Sequence, residues 1–161
     1  MRRISIIPAV AVLLALAGVP PAMAAESVPF QAELHHLSPP AGSCQDGVCT
    51  YVSYGYAFSD VMGPLVKVTA TFVWDFTTEP CSTLDPLEFT LVGATGSITV
   101  DGSGSICPGL NPERGIPQYF VASGKVTGGT GEFTGITGST TSFGTLGPNG
   151  PVFHMSGTVS Y

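Results

Sequence analysis

Positive charge is scarce in this chain. Of 161 residues, five are Lys or Arg against 11 Asp or Glu, and only 10% carry a charge of either sign. Binding to nucleic acid requires a cationic footprint, so a nucleic-acid partner is excluded, and an anionic membrane surface is disfavoured for the same reason. No stretch beyond the first residues is long and apolar enough to span a membrane. Helical periodicity is absent there as well. The chemical motifs that are missing narrow the classes further. There is no Gly-x-Ser-x-Gly elbow and no phosphate loop ending in Gly-Lys-Ser/Thr. No carboxylate pair is spaced for hydrolysis. Asp75, Glu79, Asp85 and Glu88 surround one loop, but their spacing matches no calcium loop. The cysteine spacing fits no zinc pattern, and the three histidines do not accompany it. No metal and no cofactor is therefore expected.

What is present begins with a secretory pattern. Met1-Arg2-Arg3 is a short basic start, and Ile4 to Val19 is apolar apart from Ser5 and Pro8. Pro20-Pro21 then breaks the run before Ala22-Met23-Ala24, a small-x-small cleavage site. Residues 1–24 read as a signal peptide and residues 25–161 as one secreted domain. The mature part keeps Lys67, Arg114 and Lys125 against all 11 acidic residues, a formal charge of −8.

Cys44, Cys49, Cys81 and Cys107 are even in number and bound for an oxidising compartment, so disulfides are expected. Of the three possible pairings, Cys44–Cys49 with Cys81–Cys107 is favoured. Asp46-Gly47 lies between the first two and turns the chain back on itself, and the second two follow successive strands.

Eight strand signals recur between Gly, Pro, Asn and Asp clusters: Phe30–Leu37, Thr50–Phe58, Leu65–Phe76, Leu87–Val92, Ser97–Gly102, Gln118–Val126, Phe133–Leu146 and Val152–Tyr161. The Pro108 to Pro117 segment, with Arg114, is the longest connection and is placed over one mouth of the fold. Alternation assigns the faces. Val66, Val68, Ala70, Phe72, Trp74 and Phe76 share one face of the third strand, and Leu87, Phe89 and Leu91 share one of the fourth. Phe30, Ala32, Leu34 and His36 are expected to point inward. So are Val52, Tyr54, Tyr56 and Phe58, with Tyr51, Ser53 and Gly55 outward. His35 is expected at the surface beside Glu33, and His154 on the outer face of the last strand. Eight sequential antiparallel strands leave two exposed edges unless the sheet closes. The expected fold is therefore all-β, a single antiparallel eight-stranded barrel, wide enough for packed side chains or one small ligand.

Gly128-Gly129-Thr130-Gly131-Glu132-Phe133-Thr134-Gly135-Ile136-Thr137-Gly138 reads as a sharp turn feeding a bent strand. It resembles the Gly-Gly-Thr-Gly-x-Phe-x-Gly-x-x-Gly element of the allene oxide cyclase barrel-like proteins, and is similar to one in dirigent proteins. The resemblance is strong over residues 118–161. It implies a calycin-like barrel whose cavity holds a reactive small molecule in one conformation, with dimers or trimers allowed. The glycines themselves read as architecture at a barrel corner.

Three functions follow as expectations. The first is a secreted, disulfide-stabilised barrel that binds a small apolar or aromatic molecule in its lumen, with Phe72, Trp74 and Phe89 lining it. The second is a cyclase or isomerase of the allene oxide cyclase and dirigent kind. Its candidate catalytic residues are His36, an acid or base near neutral pH, and Tyr54 and Tyr56, whose hydroxyls seek partners when buried. The third is a structural or surface-interaction protein whose barrel is filled by its own side chains. A lumen without a void of ligand size favours the third.

Overall fold

A computed structural model describes residues 26–36, 41–109, 118–147 and 150–160. They form nine strands: β1 (Ser27–His36), β2 (Ala41–Gln45), β3 (Val48–Ser59), β4 (Gly63–Asp75), β5 (Ser82–Val92), β6 (Gly96–Cys107), β7 (Gln118–Gly131), β8 (Thr137–Gly147) and β9 (Gly150–Ser160). No helix occurs among them, so none is present to cross a membrane. Residues 1–24, read as the signal peptide, and most of the 108–117 connection with Arg114 lie outside the described residues.

Each strand from β3 to β9 pairs antiparallel with the next. β1 closes the ring by pairing with β9 on one side and with the second half of β3 on the other, Ala32 opposite Ser59 through His36 opposite Gly55. Eight strands thus make a closed antiparallel barrel. β2 is the ninth. It pairs with the first half of β3, beyond the end of β1, so the β2–β3 hairpin rises past the rim. Asp46 and Gly47 form its two-residue turn with φ of 50° and 82°. Both must be positive in the turn whose twist suits a tight hairpin, which is why Asp-Gly stands there.

Two irregularities shape the wall. On β5, Asp85 and Pro86 together occupy the space opposite Val73 of β4 and Ser103 of β6. The extra residue lets Leu84 and Leu87, three apart, both point inward. On β7, Thr127 is the extra residue between Val126 and Gly128.

The ring has two unlike ends. At one end are the turns after β3, β5 and β7, where Met62, Phe133 and Ile136 are buried and plug the opening. Above them pack Phe30, Leu34, Val66, Leu91, Ile98, Met155 and Val159, all essentially inaccessible. Burying each side chain of this size contributes roughly 1.5–3 kcal/mol. The glycine-rich segment builds the plug. Gly128–Gly131 finish β7, residues 132–135 turn, and the next strand starts at Thr137 rather than at Phe133 as the sequence suggested. The amides of Phe133, Thr134 and Ile136 each donate to the carbonyl three residues back, which curls the chain and drops Phe133 and Ile136 into the barrel. Gly131 has φ of 62°, and a Cβ there would collide with the Thr95 carbonyl oxygen.

The faces of β4, β5 and β9 follow the alternation as read. β3 is reversed. Its inner side is Cys49, Tyr51, Ser53, Gly55, Ala57 and Ser59, while Tyr54 and Phe58 are exposed. Small residues line β3 because β1 and β4 fill the adjoining interior with Phe30, Leu34, Val66 and Val68.

Candidate functional site

The opposite end of the barrel carries an aromatic cluster on its inner wall. Tyr51 of β3 faces Phe72 and Trp74 of β4, with ring centroids 5.6 and 6.1 Å away, and Phe76 stacks on Trp74 at 4.4 Å. Phe72 and Trp74 are half-buried against the core, and Phe76 at the rim is 46% exposed. Trp74 Nε1 donates to the Ser82 hydroxyl at 2.7 Å, and that hydroxyl donates onward to the Ile106 carbonyl at 3.2 Å. The indole is therefore pinned by both a polar chain and ring contacts.

Two disulfides bracket this cluster. Cys44–Cys49 joins directly opposed residues of the β2–β3 hairpin, and Cys81–Cys107 ties the start of β5 to the end of β6. No free cysteine is found among the described residues. The Tyr51 hydroxyl lies 3.5 Å from Cys44 Sγ. The loop after β4 is anchored by the Phe76 amide, which donates to the Gly47 carbonyl at 2.9 Å. Asp75 Oδ1 accepts from the Thr77 hydroxyl at 2.6 Å and from the Thr77 amide at 2.8 Å. These two bonds, the hydroxyl first, hold its carboxyl below the usual carboxylate range.

Below the cluster the described interior is lined by buried side chains, Leu84, Leu87, Phe89 and Phe120 among them. The void recorded at mid-height is about 10 Å³, lined by Leu87, Phe89, Val100, Thr140, Ser142 and Met155 among others. That is room for one water at most, next to the buried hydroxyls of Thr140 and Ser142. Phe89 fills this core and lies away from the rim.

The residues named from sequence separate accordingly. Phe72 and Trp74 sit together at the mouth, and Phe89 does not join them. Tyr54 and Tyr56 point away from the lumen, because β3 presents its other face there. His36 ends β1 opposite Gly55, and its side chain lies outside the described residues. Tyr51 is the aromatic that sequence reading put on the wrong side. The run Ser53, Gly55, Ala57, Ser59 on its own face was the available sign, since small residues at every second position suit the crowded side of a closed wall.

A second cluster lies on the outer wall, as expected for His35, Glu33 and His154. His35 Nε2 is 2.8 Å from Glu33 Oε1, and His154 Nδ1 is 3.9 Å from Glu33 Oε2. Tyr56 stacks on His35 at 5.1 Å and Phe143 on His154 at 5.3 Å. Phe58 contacts His35 and Tyr56 edge-on. Among the described residues, no three His, Cys, Asp or Glu side chains are grouped to hold a metal ion. No known protein family and no curated protein matches the chain.

Proposed function

We propose that this protein is a secreted barrel that binds a small apolar or aromatic molecule at its aromatic mouth. One observation carries the reading. Tyr51, Phe72, Trp74 and Phe76 form a contiguous, partly water-exposed aromatic surface on the inner wall, between two disulfides. Such a rigidly held aromatic surface suits a planar ligand. The mid-height void of about 10 Å³ is too small for a ligand, which favours the rim as the place of binding. The two disulfides fit an oxidising, extracellular setting.

Trp74 is the single tryptophan, so its emission reports on the site without labelling. Titration with 1-anilinonaphthalene-8-sulfonate and with naphthalene is expected to give saturable quenching or a blue shift. Phe76→Ala is expected to weaken binding at least about tenfold, a loss of the size seen for a well-packed aromatic anchor. Linear, unsaturable quenching with both probes would sink the reading.

The filled mid-barrel favours a second reading, in which the barrel is a scaffold and function lies on its outside. The cyclase or isomerase alternative rests on the resemblance of Gly128–Gly138 to the allene oxide cyclase and dirigent element. It would use the same mouth, with the Tyr51 hydroxyl as its proton-handling group.

A further inference from the structure

The outer cluster belongs to a larger band. Strand register places Phe58, Glu33, His154, Phe143 and Val121 in one continuous row across β3, β1, β9, β8 and β7, all on the outer face. The adjacent row is Tyr56, His35, Val152, Thr145 and Tyr119. Phe58, Phe143, Val121 and Tyr119 are between 42% and 57% exposed. At the spacing of strands and of alternate residues, the ten Cα positions span about 19 by 7 Å. Six of the ten residues are aromatic or aliphatic, and clustered exposed apolar side chains mark interaction sites.

The order of residues along the first row identifies the occupant. From β3 to β8 it runs aromatic, ionisable, ionisable, aromatic, and it is centred on the seam between β1 and β9. A two-fold axis along that seam, in the plane of the face, lays β1 over β9 of a second copy and β3 over its β8. Phe58 then meets the second copy's Phe143, and Glu33 meets the second copy's His154. Both contacts occur twice, because an isologous interface repeats each pair. The barrel wall curves away from the seam, and the longest rings stand at the flanks where two convex walls diverge. Each copy offers a groove of about 540 Å³ whose lining includes Phe58, Phe143, Glu33, His154 and Asp60. The band is also poor in charge. Glu33 is the sole carboxylate in the two rows of a chain whose mature part carries −8, as the core of an interface requires.

We propose that this face joins two copies of the chain through the β1–β9 seam, with Phe58 and Phe143 as reciprocal anchors and Glu33 accepting a hydrogen bond from His154 of the other copy. The aromatic mouth lies at the end of each barrel and stays clear of the contact, so the assembly is independent of ligand binding there. A contact this small gives weak, transient self-association.

Sedimentation velocity of the oxidised protein over a low-to-high micromolar series tests this. A monomer–dimer equilibrium is expected, and Phe143→Ser and Phe58→Ser are each expected to raise the dissociation constant at least about tenfold. Both side chains are exposed, and circular dichroism confirms that the variants fold. Mixing Phe58→Cys chains with Phe143→Cys chains under oxidation is expected to yield mainly the mixed cross-link. A monomer at every concentration overturns the proposal. So does a dimer indifferent to both serine variants, or a preference for self-cross-links over the mixed one.

Discussion

The two ends of this barrel are held by different physics. The plugged end is aliphatic and dry: Leu91 and Ile98 have no accessible surface, and Met62, Phe133 and Ile136 close the opening. The other end is aromatic and partly exposed, and both disulfides are located there. Removing apolar area from water is enough to stabilise the first. The second leaves much of its apolar surface exposed, so covalent cross-links supply what burial does not. A partly exposed aromatic wall is thereby made rigid by covalent links as well as by packing.

Core truncation should separate the two ends most sharply. Leu91→Ala or Ile98→Ala is expected to lower unfolding free energy by about 2–5 kcal/mol, since a cavity opens in a site that cannot collapse. Phe76→Ala, at the exposed rim, is expected to cost less than about 1 kcal/mol. Chemical denaturation of the three variants checks this, and equal losses at the two ends would break the comparison. At the aromatic end the disulfides are expected to count for more than the rim side chain. Replacing Cys81 and Cys107 by serine is expected to cost about 3.5 kcal/mol, and replacing Cys44 and Cys49 about 2 kcal/mol, from the loop lengths they close. The same denaturation curves read this difference, and a larger loss for the shorter loop would refute the entropic account.

Smaller effects test the details. Gly131→Ala is expected to cost roughly 1–3 kcal/mol, because it strains a positive φ and crowds the Thr95 carbonyl. Its signature is a lower melting temperature with unchanged probe binding at the mouth. Trp74→Phe removes the donor to Ser82 and is expected to cost about 0.5–1.5 kcal/mol. Asp75 is the subtlest. Its carboxyl is held below the usual carboxylate range by the Thr77 hydroxyl and amide, so its contribution is present above that range and is lost as pH falls through the depressed folded value. Asp75→Asn is therefore expected to flatten the fall in stability below that range, read from melting temperatures across an acid series. An unchanged slope would show that the Thr77 bonds form equally in the unfolded chain.

The parts of this comparison that were legible in the sequence are those where the pattern had one solution. β4 alternates cleanly from Val66 to Trp74, and the turn at Asp46-Gly47 fits one hairpin, so the strand, the disulfide and the pairing of Cys44 with Cys49 all follow. β3 was ambiguous because both of its faces contain aromatics, and side-chain period does not say which face is inside. β6 was read as ending at Gly102, yet it continues to Cys107. Its second half, Gly-Ser-Gly-Ser, carries no pattern, and the close backbone of β7 at Ala122 and Gly124 holds it. Thr140 and Ser142 are polar yet buried, which alternation by hydropathy cannot foresee. The outer band was invisible for a different reason. Its residues come from five strands and become neighbours only through register.

The pairing of Ser27 with Ser160 has a consequence for how the molecule is presented. Both ends of the folded domain emerge side by side at the plugged rim. A tether, a tag or a neighbouring domain fused to either end would hang from that rim. The aromatic mouth would then face outward, away from whatever the protein is attached to. Joining the two ends and reopening the ring at an exposed turn is equally natural to this geometry.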